Sequence, residues 1–129
     1  MKNILLIDDE EDFCFFVKAN LEGTSEFAIL TATNGSDGLR LAREQLPDLI
    51  LLDLYMPDMF GDEVMEELIQ SPETASIPVI FLTALVNNSE TGPENLKEIG
   101  GRYFIAKPVA TNALVRNIRK MLTVPASTN

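Results

Sequence analysis

Residues 4–12 read Ile-Leu-Leu-Ile-Asp-Asp-Glu-Glu-Asp, four large apolar residues followed by five acids without a break. So short an apolar run, cut off by charge, suits a strand buried on both faces: a half-buried strand alternates, and a buried helix needs more length. The pattern recurs downstream. Leu49–Leu52 runs into Asp53, Val79–Leu82 into Thr83-Ala84, and Tyr103–Ile105 through Ala106 into Lys107-Pro108, while Ala28–Leu30 is a shorter run. Between the runs, apolar residues recur at helical spacing, as in Phe13, Phe16, Val17 and Leu21, then Leu39, Ala42 and Leu46, then Val64 and Leu68, then Leu114, Ile118, Met121 and Leu122.

Gly23, Pro47 and Ser71-Pro72 stand where the first three helices should stop, and Thr111 stands where it can cap the last. This alternation predicts an α/β fold, a parallel sheet with helices on both faces, because right-handed crossovers between parallel strands put them there. Ligands of such folds bind beyond the carboxyl ends of the strands. The residues that follow each run therefore carry the functional reading.

The 129 residues, 46% of them hydrophobic, suit one compact domain over residues 2–122, with 123–129 a disordered C-terminal tail that has no core pattern. Twenty acidic against ten basic residues give a net charge of −10, a surface that repels phosphate backbones and anionic lipids, so direct nucleic-acid or membrane binding is not expected. The N-terminus is too short in apolar residues for a signal peptide and no run approaches a membrane span, which predicts a cytoplasmic protein. Cys14 is the single cysteine and falls in a helical pattern, where it reads as buried filler.

Asp8 and Asp9 end the first run, Asp53 the third and Thr83 the fourth, with Lys107 just past the fifth. Carboxylates gathered at one sheet edge raise each other's pKa unless a cation holds them together. Magnesium takes oxygen ligands and keeps several waters, so two or three carboxylates suffice; the chain has no histidine, which argues against zinc. An aspartate beside such an ion suits in-line attack on phosphorus, with Asp53 as nucleophile, Lys107 neutralising one phosphoryl oxygen, and the Thr83 hydroxyl with the Ala84 backbone N–H binding another. Each feature alone also fits a structural role: acids matched to a helix dipole, a turn aspartate, a surface lysine, a strand-end threonine. Their convergence at one edge is what favours chemistry.

Four pieces, Ile4-Leu-Leu-Ile-Asp-Asp-Glu10, Asp53-Leu-Tyr-Met-Pro57 with Gly61 beyond it, Phe81-Leu-Thr-Ala84 and Phe104-Ile-Ala-Lys-Pro108, together resemble the receiver domain of two-component response regulators, of the stand-alone chemotaxis-regulator kind. The resemblance implies a flavodoxin-like (βα)5 three-layer sandwich with a five-stranded parallel sheet of order 2-1-3-4-5. It implies Asp53 as phosphoacceptor, Asp8, Asp9, Asp53 and the Tyr55 carbonyl as magnesium ligands, Lys107 as the phosphoryl-contacting lysine, and Thr83 with Phe104 as the switch pair. Lys107-Pro108 would be a cis peptide. The implied partners are a histidine kinase or histidine phosphotransfer protein and an unknown downstream protein, the chain being a monomer or an activation-dependent dimer. Such a chain is not an enzyme beyond catalysing its own phosphorylation and dephosphorylation.

The stretch from Thr83 to Lys107 is longer than the family's usual one, and Pro93, after Gly92, is well placed to open a short fourth helix. Partner choice is expected to lie in residues 85–101. Tyr55 is bulky where attacking water would pass, which predicts slow self-dephosphorylation. Lacking histidine, the chain cannot itself form phosphohistidine. With one domain there is no room for a DNA-binding output module, so the signal is expected to leave through a protein contact, or the chain is a fragment of a longer regulator. A phosphatase of the haloacid-dehalogenase type is disfavoured because it needs Asp-x-Asp where this chain has Asp53-Leu-Tyr55, and a receiver-like scaffold that is never phosphorylated is the remaining rival.

Overall fold

A computed structural model of the chain describes residues 1–83, 96–107 and 110–123. Among these residues run strands β1 (Lys2–Ile7), β2 (Phe27–Ala32), β3 (Leu49–Asp53), β4 (Val79–Thr83), β5 (Lys97–Ile99) and β6 (Arg102–Ala106). The helices are α1 (Glu11–Glu22), α2 (Gly35–Gln45), α3 (Gly61–Gln70) and α4 (Thr111–Leu122). None of them is long and apolar enough to cross a membrane.

The sheet order is β2-β1-β3-β4-β6-β5. Pairings β1–β2, β1–β3, β3–β4 and β4–β6 are parallel, which gives the expected five-stranded order. The purely parallel five-stranded sheet needs one correction, because β5 adds a sixth, antiparallel strand against β6. Gly100 (φ +58°) and Gly101 (φ +82°) explain it, since a two-residue hairpin turn with both central φ values positive matches the twist of its strands and favours glycine. The turn sets Ile99 opposite Arg102. Pro93, the expected helix start, lies outside the described residues, as do the Lys107-Pro108 peptide's proline and residues 124–129; by Lys97 the chain is already extended.

Residue parity along each strand divides the core in two. Ile4, Leu6, Leu49, Leu51, Ile80, Leu82 and Ile105 face the layer of α1 and α4, while Leu5, Ile7, Ile50, Leu52, Val79 and Phe81 face that of α2 and α3. Alternate side chains point to opposite faces, so strands covered on both sides must be apolar throughout, which is why the runs are continuous. Each fully buried Leu or Ile contributes about 1.5–3 kcal/mol. A one-residue slip would exchange the two cores, and this fixes the register that brings the strand ends level.

The helices obey the same demand with some differences from the expected faces. On α1 the buried residues are Cys14, Val17 and Leu21, whereas Phe16 is 62% exposed. Leu46 is the left-handed residue that ends α2 and is half exposed. Thr111 proves to be the first residue of α4 rather than its cap, which is Ala110. At the start of α2, Asn34 accepts the Asp37 N–H at 2.8 Å, and the Asp58 carboxylate accepts those of Gly35 and Ser36 at 2.9 and 3.0 Å. These N–H groups hold the Asp58 pKa below the usual carboxylate value and clip the loop after β3 to α2.

That loop closes on Gly61, whose N–H donates to the Leu54 carbonyl at 2.7 Å. A Cβ at position 61 would collide with the Asp53 carbonyl oxygen and sit 2.9 Å from the Leu54 Cα. Both are backbone atoms, so relief requires moving the strand end itself. Gly61→Ala should therefore cost about 1–3 kcal/mol in a denaturant titration. Gly23→Ala, at an ordinary helical φ of −62°, should stay within about 1 kcal/mol of the parent. Equal effects of the two substitutions would contradict the close approach at Gly61.

Candidate functional site

The carboxyl ends of β1, β3, β4 and β6 meet at one edge. Asp8 follows β1 directly, and its N–H continues the ladder to the Ala32 carbonyl at 3.0 Å, so its side chain is carried into the interior with no exposure. Asp53 is the last residue of β3, opposite Leu82, and is buried. Asp9 begins the turn to α1 and is half-buried. One oxygen from each of Asp8, Asp9 and Asp53 lies within 4.8 Å of the others.

Lys107 enters from β6, with its backbone N–H donating to the Thr83 carbonyl at 2.9 Å. Its ammonium donates to Asp8 Oδ2 at 2.9 Å and Glu10 Oε1 at 2.7 Å, stands 3.8 Å from Asp53 Oδ1, and lies 4.5 Å above the Phe13 ring. Thr83 is buried at the end of β4, paired with Ala106. Asp8, Asp9, Asp53 and Lys107 thus meet directly, with Thr83 on the adjoining strand end. Ala84 lies outside the described residues.

The two expected aromatic residues make ring contacts of their own. The Tyr55 ring is 55% exposed and meets the Phe60 ring edge-on, 5.6 Å between centroids. Phe104 is half-buried, stacked on Phe81 at 5.1 Å within the core on the α2 and α3 side. Glu10 and Phe13 had no expected role beside Lys107. The acidic run displayed Glu10, but its contact spans 97 residues of chain and has no local signature.

Burial decides the electrostatics. Asp53 is pushed up to about 6, first by desolvation and next by the charge of Asp8, against the pull of Lys107. Asp8 is likewise raised by burial, opposed by the Glu10 N–H on its Oδ1 at 2.9 Å and by Lys107. Burial by itself lowers Lys107, but Glu10 and Asp8 outweigh it and the net shift is upward. Desolvation, followed by the Asp8 charge, drives the Cys14 thiol up to about 12; the neutral thiol donates to the Asp8 carbonyl at 3.3 Å, as filler should.

Three carboxylates and Glu10 against one ammonium leave the edge short of positive charge. The donor set is oxygen alone, with no histidine in the chain and the nearby thiol protonated, which fits a hard divalent cation such as magnesium rather than zinc.

Without a metal, the raised Asp53 makes the fold take up protons that the unfolded chain releases. Stability from this group is complete below the ordinary value of 3.8 and is lost as pH rises through about 6. Metal-free Asp53→Asn should accordingly be more stable than the parent by about 1–3 kcal/mol near neutral pH, with the gap closing toward about pH 4. Urea titrations across that range check it, and a gap that widens toward acid would contradict the sign.

The model of the response regulator receiver domain matches residues 4–119. Protein PilH of Pseudomonas aeruginosa is 35% identical over 122 residues, covering 95% of this chain and 98% of PilH. The polar-differentiation response regulator DivK of Brucella anthropi is 31% identical, covering 94% and 96%. The phosphate regulon regulator PhoB of Rhizobium meliloti is 32% identical, but the chain spans only 52% of its length. Among solved structures, a response regulator from Desulfuromonas acetoxidans superposes with a TM-score of 0.77 at 28% identity, over 96% of this chain and 98% of that one. A CheY-like receiver domain protein from Methanospirillum hungatei gives 0.77 at 26% identity, over 95% and 94%. The flavodoxin-like sheet, its acidic edge and these matches lead to one conclusion: the chain belongs to the response regulator receiver domain family of two-component systems.

Proposed function

We propose that the chain accepts a phosphoryl group on Asp53 from the phosphohistidine of a histidine kinase or histidine phosphotransfer protein, in a magnesium-dependent reaction, and signals by a change of shape read by another protein. The observation that carries this reading is the buried Asp53 carboxylate, 3.8 Å from the Lys107 ammonium and grouped with Asp8 and Asp9 in an all-oxygen cluster. An oxygen of Asp53 forms the new bond to phosphorus as the donor's phosphorus–nitrogen bond breaks and the imidazole leaves. Lys107 binds one phosphoryl oxygen, and the Thr83 hydroxyl with the Ala84 N–H binds another. Asp8, Asp9, an Asp53 oxygen and the Tyr55 carbonyl are the groups that would hold magnesium, which when bound would neutralise the charge gathering on the transferred group.

Phosphorylation adds about 1.5–2 negative charges to a buried edge, and the residues that can answer are those already there. The Thr83 hydroxyl turns toward the new oxygens, and Phe104, stacked on Phe81 and only half-buried, follows it inward. The only chemistry assigned is on the chain itself, gain and loss of its own phosphoryl group. Its place of action is the cytoplasm.

Incubation with magnesium and acetyl phosphate, or with the phosphoryl mimic beryllofluoride, should give an adduct detectable by intact mass and by tyrosine fluorescence. The adduct should vanish in Asp53→Asn and without magnesium. An adduct that survives Asp53→Asn, or none in the parent, would refute the proposal. Tyr55, exposed and braced by Phe60 beside the acceptor loop, obstructs water, so Tyr55→Asn should lose its phosphoryl group several-fold faster. An unchanged lifetime would remove Tyr55 from the account.

A further inference from the structure

Glu10 occupies the N-cap position of α1, with extended backbone (φ −85°, ψ 102°), yet its side chain makes no capping hydrogen bond. The carboxylate turns instead to Lys107, at 2.7 Å the shortest of that lysine's ion pairs. Glu10 also gives its backbone N–H to Asp8 Oδ1 at 2.9 Å, so one residue ties both the acid and the lysine of the edge. The Phe13 ring, one helical turn on, lies under the same ammonium at 4.5 Å. Held between carboxylates and an aromatic face, Lys107 is 13% exposed and stands 3.8 Å from Asp53, too far for a hydrogen bond.

Resting on the function proposed above, we infer that Glu10 is a positioning residue that holds Lys107 over the Phe13 ring, paired with the phosphoacceptor but short of hydrogen-bond contact with it, and that phosphoryl acceptance requires the Glu10–Lys107 pair to open. The lysine that must neutralise an incoming phosphoryl oxygen is, before transfer, engaged by a carboxylate that takes no part in the reaction. Charge-assisted hydrogen bonds of this kind resist opening, but Glu10 is 63% exposed, so solvent weakens the pair and the latch is a light one. A light latch suits a site that must stay closed to chance encounters and still yield to a donor. Phe13 gives the displaced ammonium a defined seat, since a cation is attracted to the ring face.

The test uses Glu10→Gln, which keeps the backbone N–H to Asp8 and removes the charge, beside Glu11→Gln, which makes the same change of net charge at the exposed next residue. In the metal-free protein, labelling of Lys107 by a small amine-reactive ester, followed by peptide mass and normalised to Lys2 and Lys120, should rise about two- to fivefold in Glu10→Gln and stay at the parent rate in Glu11→Gln. At saturating magnesium, the rate of adduct formation with acetyl phosphate should rise over a similar range in Glu10→Gln alone. Lys107 labelling equal to the parent's, equal responses in both variants, or faster labelling without faster adduct formation would each overturn the inference. Failure of the parent to form any adduct lost in Asp53→Asn would instead refute the underlying function, so the two outcomes are distinct.

Discussion

Two carboxylates, Asp8 and Asp53, are buried side by side at the end of a parallel sheet, with one ammonium, Lys107, paired to both. Everything distinctive about the molecule follows from supporting that arrangement. Desolvation raises both acids, and the charge of Asp8 adds to it at Asp53, so an ionised pair is costly to hold at this edge near neutral pH. A fold that buries such charge beside Asp9 leaves a place that a hard cation could complete. The stability lost at the edge is offset by the two apolar cores on either side of the sheet.

The sheet is what makes the arrangement possible. Side chains from β1, β3, β4 and β6 reach one edge only because their registers are locked, and they are locked because each strand feeds two different cores by parity. The loop after β3 is then pinned at two points along its course. Asp58 is clipped to the first N–H groups of α2, and Gly61 packs without a side chain against the Asp53 backbone. This fixes the chain around Asp53 and leaves Tyr55 and Phe60 as the exposed rim.

Much of this was legible in the residues. Apolar runs terminated by Asp8, Asp53 and Thr83 announce strand ends directly, and a strand end in a parallel α/β sheet is where chemistry gathers, so Asp8, Asp9, Asp53 and Lys107 could be named and are found together. The β5–β6 hairpin was not foreseen, although Gly100-Gly101 is a hairpin signal; Lys-Glu-Ile is too short and too polar to read as a strand, and Pro93 upstream suggested a helix. Phe16 fits the apolar spacing of α1 and is nonetheless exposed, because the buried stripe rotates onto Cys14, Val17 and Leu21. The contacts of Lys107 with Glu10 and Phe13 and the clip made by Asp58 were beyond sequence reading for a common reason. Both are side-chain contacts between segments far apart in the chain, and no local periodicity encodes them.

The central claim is that the buried carboxylates form a site completed by a hard cation, and magnesium-dependent stability near neutral pH tests it most directly. A ligand that binds the folded state alone stabilises it by RT ln(1 + [L]/Kd), so the urea midpoint of the parent should climb steadily with magnesium while that of Asp8→Asn barely moves. A parent midpoint indifferent to magnesium, or an equal rise in both proteins, would contradict the account.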